Sequence, residues 1–130
     1  MPPAARSQDL VTGTDTHIVL VPTGPTVTPT PTPLPFSGPL TQSLSTDVLV
    51  NGLAAATVGS VAVNQPPHVP PNGTFATPPK NQGTVQQGSP TVFIGGQAAA
   101  RQGDPVLTCN DPTDAPNGTV AAGSADVMFG

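Results

Sequence analysis

Residues 89–109 read SPTVFIGGQAAARQGDPVLTC. Thr91–Ile94 carries β-branched and aromatic side chains, which favour an extended strand. Gly95-Gly96 follows, a dipeptide suited to the positive φ values of a two-residue hairpin loop. A small-residue strand, Ala98–Ala100, comes next. Then come Arg101, Asp104 and the chain's only cysteine, Cys109. The same phrase recurs without a gap upstream, in LSTDVLVNGLAAATVGS at 44–60. There Ser45 falls on Ser89, Val48 on Val92, Val50 on Ile94, Gly52 on Gly96, Ala54–Ala56 on Ala98–Ala100, and Gly59 on Gly103. Asn51-Gly52 takes the place of Gly95-Gly96 and serves the same turn. Each copy therefore reads as strand, tight turn, strand.

A third copy is divided between the chain ends. Ser124, Val127 and Phe129 fall on Ser89, Val92 and Ile94, and Gly130 falls on Gly95. At the other end Ala4, Ala5, Arg6 and Asp9 fall on Ala99, Ala100, Arg101 and Asp104. The two termini supply the two arms of one hairpin, cut at its turn. Three such copies close on themselves in a ring or prism of approximate three-fold symmetry. Met1 and Gly130 are then expected to lie close together, on antiparallel neighbouring strands. A linear stack of hairpins is the alternative. The expected organisation is one domain over 1–130, with copies at about 44–60 and 89–104 and a third split between 123–130 and 1–9.

Composition narrows the class further. Of 130 residues 19 are Pro and 14 Gly, and the aromatic side chains are four Phe, so a thick core and long helices are both disfavoured. Val and Thr between close-set turns predict all-β architecture with short strands. Disorder is the alternative reading of so much Pro and Gly, but little charge is present to hold the chain open. The net charge is −4, and the basic residues are Arg6, Lys80 and Arg101 alone, too few for a nucleic-acid footprint. No apolar run is long enough to span a bilayer. The start MPPAARSQD lacks the apolar stretch of a signal peptide.

The soft ligands follow the repeat. Asp9 plus eight is His17, Ser60 plus eight is His68, and Asp104 plus five is Cys109. These are the only two histidines and the only cysteine. Three-fold closure would turn all three towards a common axis, and His with Cys suits Zn²⁺. The fourth ligand is open: Asp15, Asp111, Asp114 or water.

On these motifs the chain resembles the PAAR-repeat family, named for Pro-Ala-Ala-Arg. Pro3-Ala4-Ala5-Arg6 spells the motif in full, Ala98–Arg101 is a near copy, and Ala54–Thr57 a degenerate one. The phrases SPTVFIGG and ARQGDP are typical as well. The resemblance is weakest over 20–43 and 70–87. It implies a short conical, three-sided β-prism that caps the trimeric β-helical spike of a contractile injection machine. Such machines include type VI secretion systems and extracellular phage-tail-like particles. It implies a structural zinc near the point, with His17, His68 and Cys109 matching three of the family's three-His, one-Cys set. It also implies assembly in the bacterial cytoplasm, then a place at the distal tip of the particle, with transient contact with a target membrane and a cargo or effector as a further partner. One tip per spike trimer is expected, with DVLV, TVFI and DVMF offering apolar contacts around the base. The third copy ends and begins at the termini, so a bare tip without a fused toxin is expected, and no enzyme. The competing readings are a small zinc hydrolase and a secreted Pro/Thr-rich adhesin-like segment. Residues 22–39, PTGPTVTPTPTPLPFSGP, cannot form a central strand over their whole length, because proline lacks the ladder N–H. A stiff extended segment along the flank is expected there, and likewise at 70–80. A polyproline II motif for a partner is the other reading of 22–39.

Overall fold

The computed structural model describes residues 1–130 and contains strands and turns without helices. Its strands are β1 (Leu10–Thr23), β2 (Thr26–Gln42), β3 (Leu49–Val50), β4 (Leu53–Ala54), β5 (Val61–Val63), β6 (Thr74–Phe75), β7 (Gln82–Val85), β8 (Phe93–Ile94), β9 (Gln97–Ala98), β10 (Pro105–Thr108) and β11 (Ala115–Val120).

One end is built from the repeat. β3 and β4 form a hairpin around Asn51-Gly52, and β8 and β9 form another around Gly95-Gly96. All four turn residues have φ between 53° and 82°, as a type I′ turn needs. The termini pair in the same way: Pro3 bridges Met128 antiparallel, and the Phe129 N–H donates to the Pro2 carbonyl at 3.0 Å. A serine opens each unit. The hydroxyl oxygens of Ser45, Ser89 and Ser124 accept from the N–H groups two and three residues on.

The units are tied by a closed cycle of backbone hydrogen bonds. Ala5 N–H donates to Ala100 O at 3.0 Å, Ala100 to Ala56 at 2.9 Å, and Ala56 to Ala5 at 3.0 Å. Three backbones meeting this closely leave room for a methyl group and little more. That is why Ala4, Ala5, Ala55, Ala56, Ala99 and Ala100 are all wholly buried.

From this junction three pairs of strands run outwards. β1 and β2, β5 and β7, and β10 and β11 each leave one repeat core and return to the next. They pair antiparallel around a ring in the order β1, β2, β5, β7, β10, β11 and back to β1, with β6 added beside β1 at Val19 and Leu20. The result is a three-sided β-prism. Val11, Phe36, Leu40, Ala62, Val85, Val106 and Val120 fill it over the alanines, and a second cluster of Val50, Ile94 and small residues lies on the hairpin side.

β1 and β2 are far longer than the other strands, and β2 contains the Thr-Pro tract. Phase explains how it stays in a sheet. Pro29, Pro31, Pro33 and Pro35 face Leu20, Ile18, Thr16 and Thr14 of β1. Ser37, in the same phase, turns its N–H to the Asn64 side chain and its carbonyl to the Gln65 N–H, away from β1. The missing proline N–H groups therefore fall on the outer edge and cost the β1–β2 ladder nothing. Beyond the ring, residues 22–31 are exposed on both faces. The segment is extended, as its composition requires, and it is also a paired strand.

Candidate metal centre

Alternation along β1 places Val11, Asp15, His17 and Val19 on the inner face, and all four are buried. Asp15 and His17 sit one step beyond the apolar filling of the prism. His68 reaches the same point from the loop after β5. Asn81 holds that loop, its side-chain oxygen accepting the His68 N–H at 2.8 Å, while the Asn64 amide lies 3.3 Å from His68 Nδ1. Cys109 follows β10 directly, its own N–H bonded to the Gln82 carbonyl of the adjoining strand.

The four side chains converge. One ligand atom from each of Asp15, His17, His68 and Cys109 lies within 4.8 Å of all the others. His68 Nε2 is 3.0 Å from Asp15 Oδ2, Cys109 Sγ is 3.4 Å from the same oxygen, and Cys109 Sγ is 3.7 Å from His17 Nε2. Tetrahedral zinc with ordinary Zn–N, Zn–O and Zn–S bonds separates its ligand atoms by about 3.3–3.6 Å. Three of the pairs are within about 0.5 Å of that spacing, and the widest, within 4.8 Å, would close by about 1 Å around an ion.

Two further observations bear on that fit. Asp15 Oδ1 and His17 Nδ1 are buried with no hydrogen-bond partner. Buried polar groups are seldom left so, and a carboxylate at zero exposure is costly without a compensating cation. Asp111 Oδ2 stands 3.5 Å from His17 Nδ1 without a hydrogen bond and accepts instead from the Ile18 N–H at 2.9 Å. It occupies the place of the carboxylate that commonly orients a metal-bound imidazole from behind. Burial pushes the Cys109 thiol up to about 11, and the charge and hydrogen bond of Asp15 add to the effect. Without a cation the sulfur keeps its proton. A metal would displace it and release it to solvent. A pocket of about 320 Å³ between Lys80 and Asp111 reaches His17 and Cys109 from the surface and offers an ion a way in.

His17, His68 and Cys109 come together at one point, as the offsets after each repeat require. Of the three carboxylates weighed for the fourth place, only Asp15 joins them. Asp111 lies behind His17, and Asp114 pairs with Lys80 at the surface, 3.2 Å away. The distinguishing signal is the strand period: Asp15 and His17 are two residues apart and share a face of β1. Nothing in the repeat marks it, because the other copies have no counterpart.

Comparison with known proteins agrees with this architecture. Residues 76–130 match the model of the PAAR motif family. No curated protein matches the chain. No helix is long and apolar enough to cross a membrane. The matched region holds the whole 89–104 copy and the C-terminal arm of the hairpin that Pro3 completes, in a ring closed by Pro-Ala-Ala-Arg itself. Residues 76–130 thus carry the PAAR motif, which supports a PAAR-repeat spike-tip protein of a contractile injection system.

Proposed function

We propose that this chain is one domain of three hairpin copies, the third split between 123–130 and 1–9, and that it acts mechanically as the puncturing point on a trimeric β-helical spike. The observation that carries the reading is the hairpin end. Leu49, Phe93 and Met128 occupy equivalent places in the three units and are 65 %, 62 % and 41 % exposed. Three outward apolar side chains around one pseudo-three-fold axis suit a surface that itself has three equivalent edges. One copy would satisfy all three edges of a spike trimer at once. Sheath contraction would supply the force and the narrow prism would concentrate it, without chemistry at any residue.

A zinc ion held by His17, His68, Cys109 and Asp15 would staple the far end, where the apolar filling stops. Bound there, the ion supplies structural cross-linking and neutralises buried negative charge. Four protein ligands leave no open position for a reacting water, which favours a structural over a hydrolytic ion. A prism this thin gains much from such a staple.

The test is the mass of the isolated tip–spike complex. Three spike chains to one tip are expected. Three tips per trimer, or no association, would reject the docking reading. Metal analysis of the purified chain should find about one zinc per chain, weakened by Cys109→Ser. Stoichiometric zinc in a variant lacking both histidines would reject the ligand assignment.

A further inference from the structure

The repeats differ at one place that the metal and the docking face leave unexplained. In the split copy, Arg6 sits at a joint between units. Its guanidinium pairs with Asp9 at 2.9 Å and donates to the Asn51 side chain of the next hairpin at 3.0 Å and to the Gly123 carbonyl at 3.4 Å. Arg101 does the same at the next joint, with Asp104 at 2.8 Å, the Gly130 carbonyl at 3.3 Å and the Gly88 carbonyl at 3.4 Å. At the third joint the equivalent residue is Thr57, and Ser60 replaces the aspartate. Thr57 is too short to reach across. A pocket of about 300 Å³ opens there, lined by Leu44, Ser45, Asp47, Thr57, Ile94 and Gly95 among others.

Apart from the paired aspartate, whose counterpart Ser60 is buried and bonded to the Ser43 carbonyl, these lining residues include the counterparts of what the two arginines touch. Leu44 corresponds to Gly88 and Gly123, and Gly95 to Asn51 and Gly130. The Leu44 side chain packs against the prism core, and its carbonyl accepts no hydrogen bond within the chain. Asp47 corresponds to Asp126, whose charge, after the hydrogen bond and charge of Asp9, helps hold the Arg6 guanidinium above its ordinary range. Asp47 has no cation of its own.

We propose that the Thr57 joint is a receptor site for an arginine side chain of a docked protein, which takes in trans the place that Arg6 and Arg101 fill in cis. Arginine rather than lysine is indicated, because both internal examples use the planar fork to bridge acceptors on two hairpins. A single such site among three joints would give a pseudo-symmetric tip one preferred rotational setting on its partner. The site itself rests on the repeats of this chain and not on the spike reading.

The test uses the whole chain with acetyl-argininamide as probe and acetyl-lysinamide as control, followed by amide NMR shifts. Saturable shifts at Leu44, Thr57 and Gly95 are expected, with a dissociation constant in the millimolar range and at least severalfold weaker binding of the lysine probe. Thr57→Arg with Ser60→Asp should fill the site from within, abolish these shifts and raise the melting temperature. Asp47→Asn, at an exposed position, should weaken the arginine probe severalfold without touching the fold. Absence of saturable shifts in the parent chain, their persistence in the filled variant, or affinity unchanged by Asp47→Asn would each overturn the proposal.

Discussion

The hairpin end and the end where Asp15, His17, His68 and Cys109 cluster are held by different means. At the hairpin end three devices occur three times: serine-capped entry, buried alanine pair, and a backbone bond handed on around the cycle; the tight turn occurs twice, at Asn51-Gly52 and Gly95-Gly96. At the clustered end the two histidines share an offset after the repeats, but the side chains arrive on different elements. His17 comes from a long strand, His68 from a loop, Cys109 from a strand terminus, and Asp15 has no equivalent. The repeated end rests on local turn chemistry and tight sterics. The clustered end rests on buried polar groups that only a few side chains bring together. The first should be sensitive to volume, the second to charge and metal.

The most damaging single change should therefore be a volume increase on the axis. Ala100 is wholly buried where three backbones meet. Ala100→Leu has no space to enter without parting the cycle, and should cost about 3 kcal/mol or more, or prevent folding. Chemical denaturation measures this. A loss below about 1 kcal/mol would mean that the junction is loosely packed.

The end that holds Cys109 should answer to pH instead. In chelated protein the Cys109 thiol is raised from its ordinary 9.0 to about 11, by burial first and then by Asp15. The folded chain thus keeps the neutral thiol while the unfolded chain ionises. This contribution is complete below about pH 9 and is lost as pH rises towards 11, a fall of about 2–3 kcal/mol. Urea denaturation of the chelated chain across that range should show the loss, and Cys109→Ser should remove it. Equal slopes for the two proteins would mean that the sulfur is not held in a dry site.

The same contrast explains what could be read from sequence. Hairpins and turns were legible because each is specified by neighbours in the chain, such as Asn51-Gly52 or Ser89 with Val92. The meeting of His17, His68 and Cys109 followed from their offsets after the repeat. Asp15 could not be singled out from Asp111 and Asp114, because that depends on which face of β1 points inward and how far the strand runs. The length of β2 was hidden for a related reason. Proline in a strand is tolerated or excluded according to its phase, and the phase is set by pairing with β1.

Phase can be tested directly in that arm. Thr30 lies opposite Val19, in the register whose N–H groups face β1. Thr30→Pro should remove a ladder bond and cost about 1–2 kcal/mol, whereas Pro31→Thr, on the outer edge, should be near neutral. Equal costs for the two would contradict the assigned register. The outer edge carries a second consequence. Pro31→Thr restores a donor to an exposed strand edge, so self-association should increase in sedimentation measurements.

The smallest effect, and a stabilising one, is expected where a repeat departs from its own rule. After each Ala-Ala pair the backbone passes through a positive φ. Gly59 and Gly103 do so at 95°, but the split copy does so with Gln8 at 73°. A Cβ built on either glycine meets open space, so the penalty at this position is conformational rather than a clash. Gln8 is exposed and its side chain makes no hydrogen bond. A left-handed conformation costs an L-residue about 1–2 kcal/mol, part of which glycine gives back through its greater freedom in the unfolded chain. Gln8→Gly should therefore stabilise by about 0.5–1 kcal/mol, and Gly103→Gln should destabilise by a similar amount. Opposite signs of similar size in urea midpoints would show that the three corners are energetically equivalent despite their different residues. Destabilisation by Gln8→Gly would instead mean that this corner, next to the long β1–β2 arm, is not equivalent to the other two.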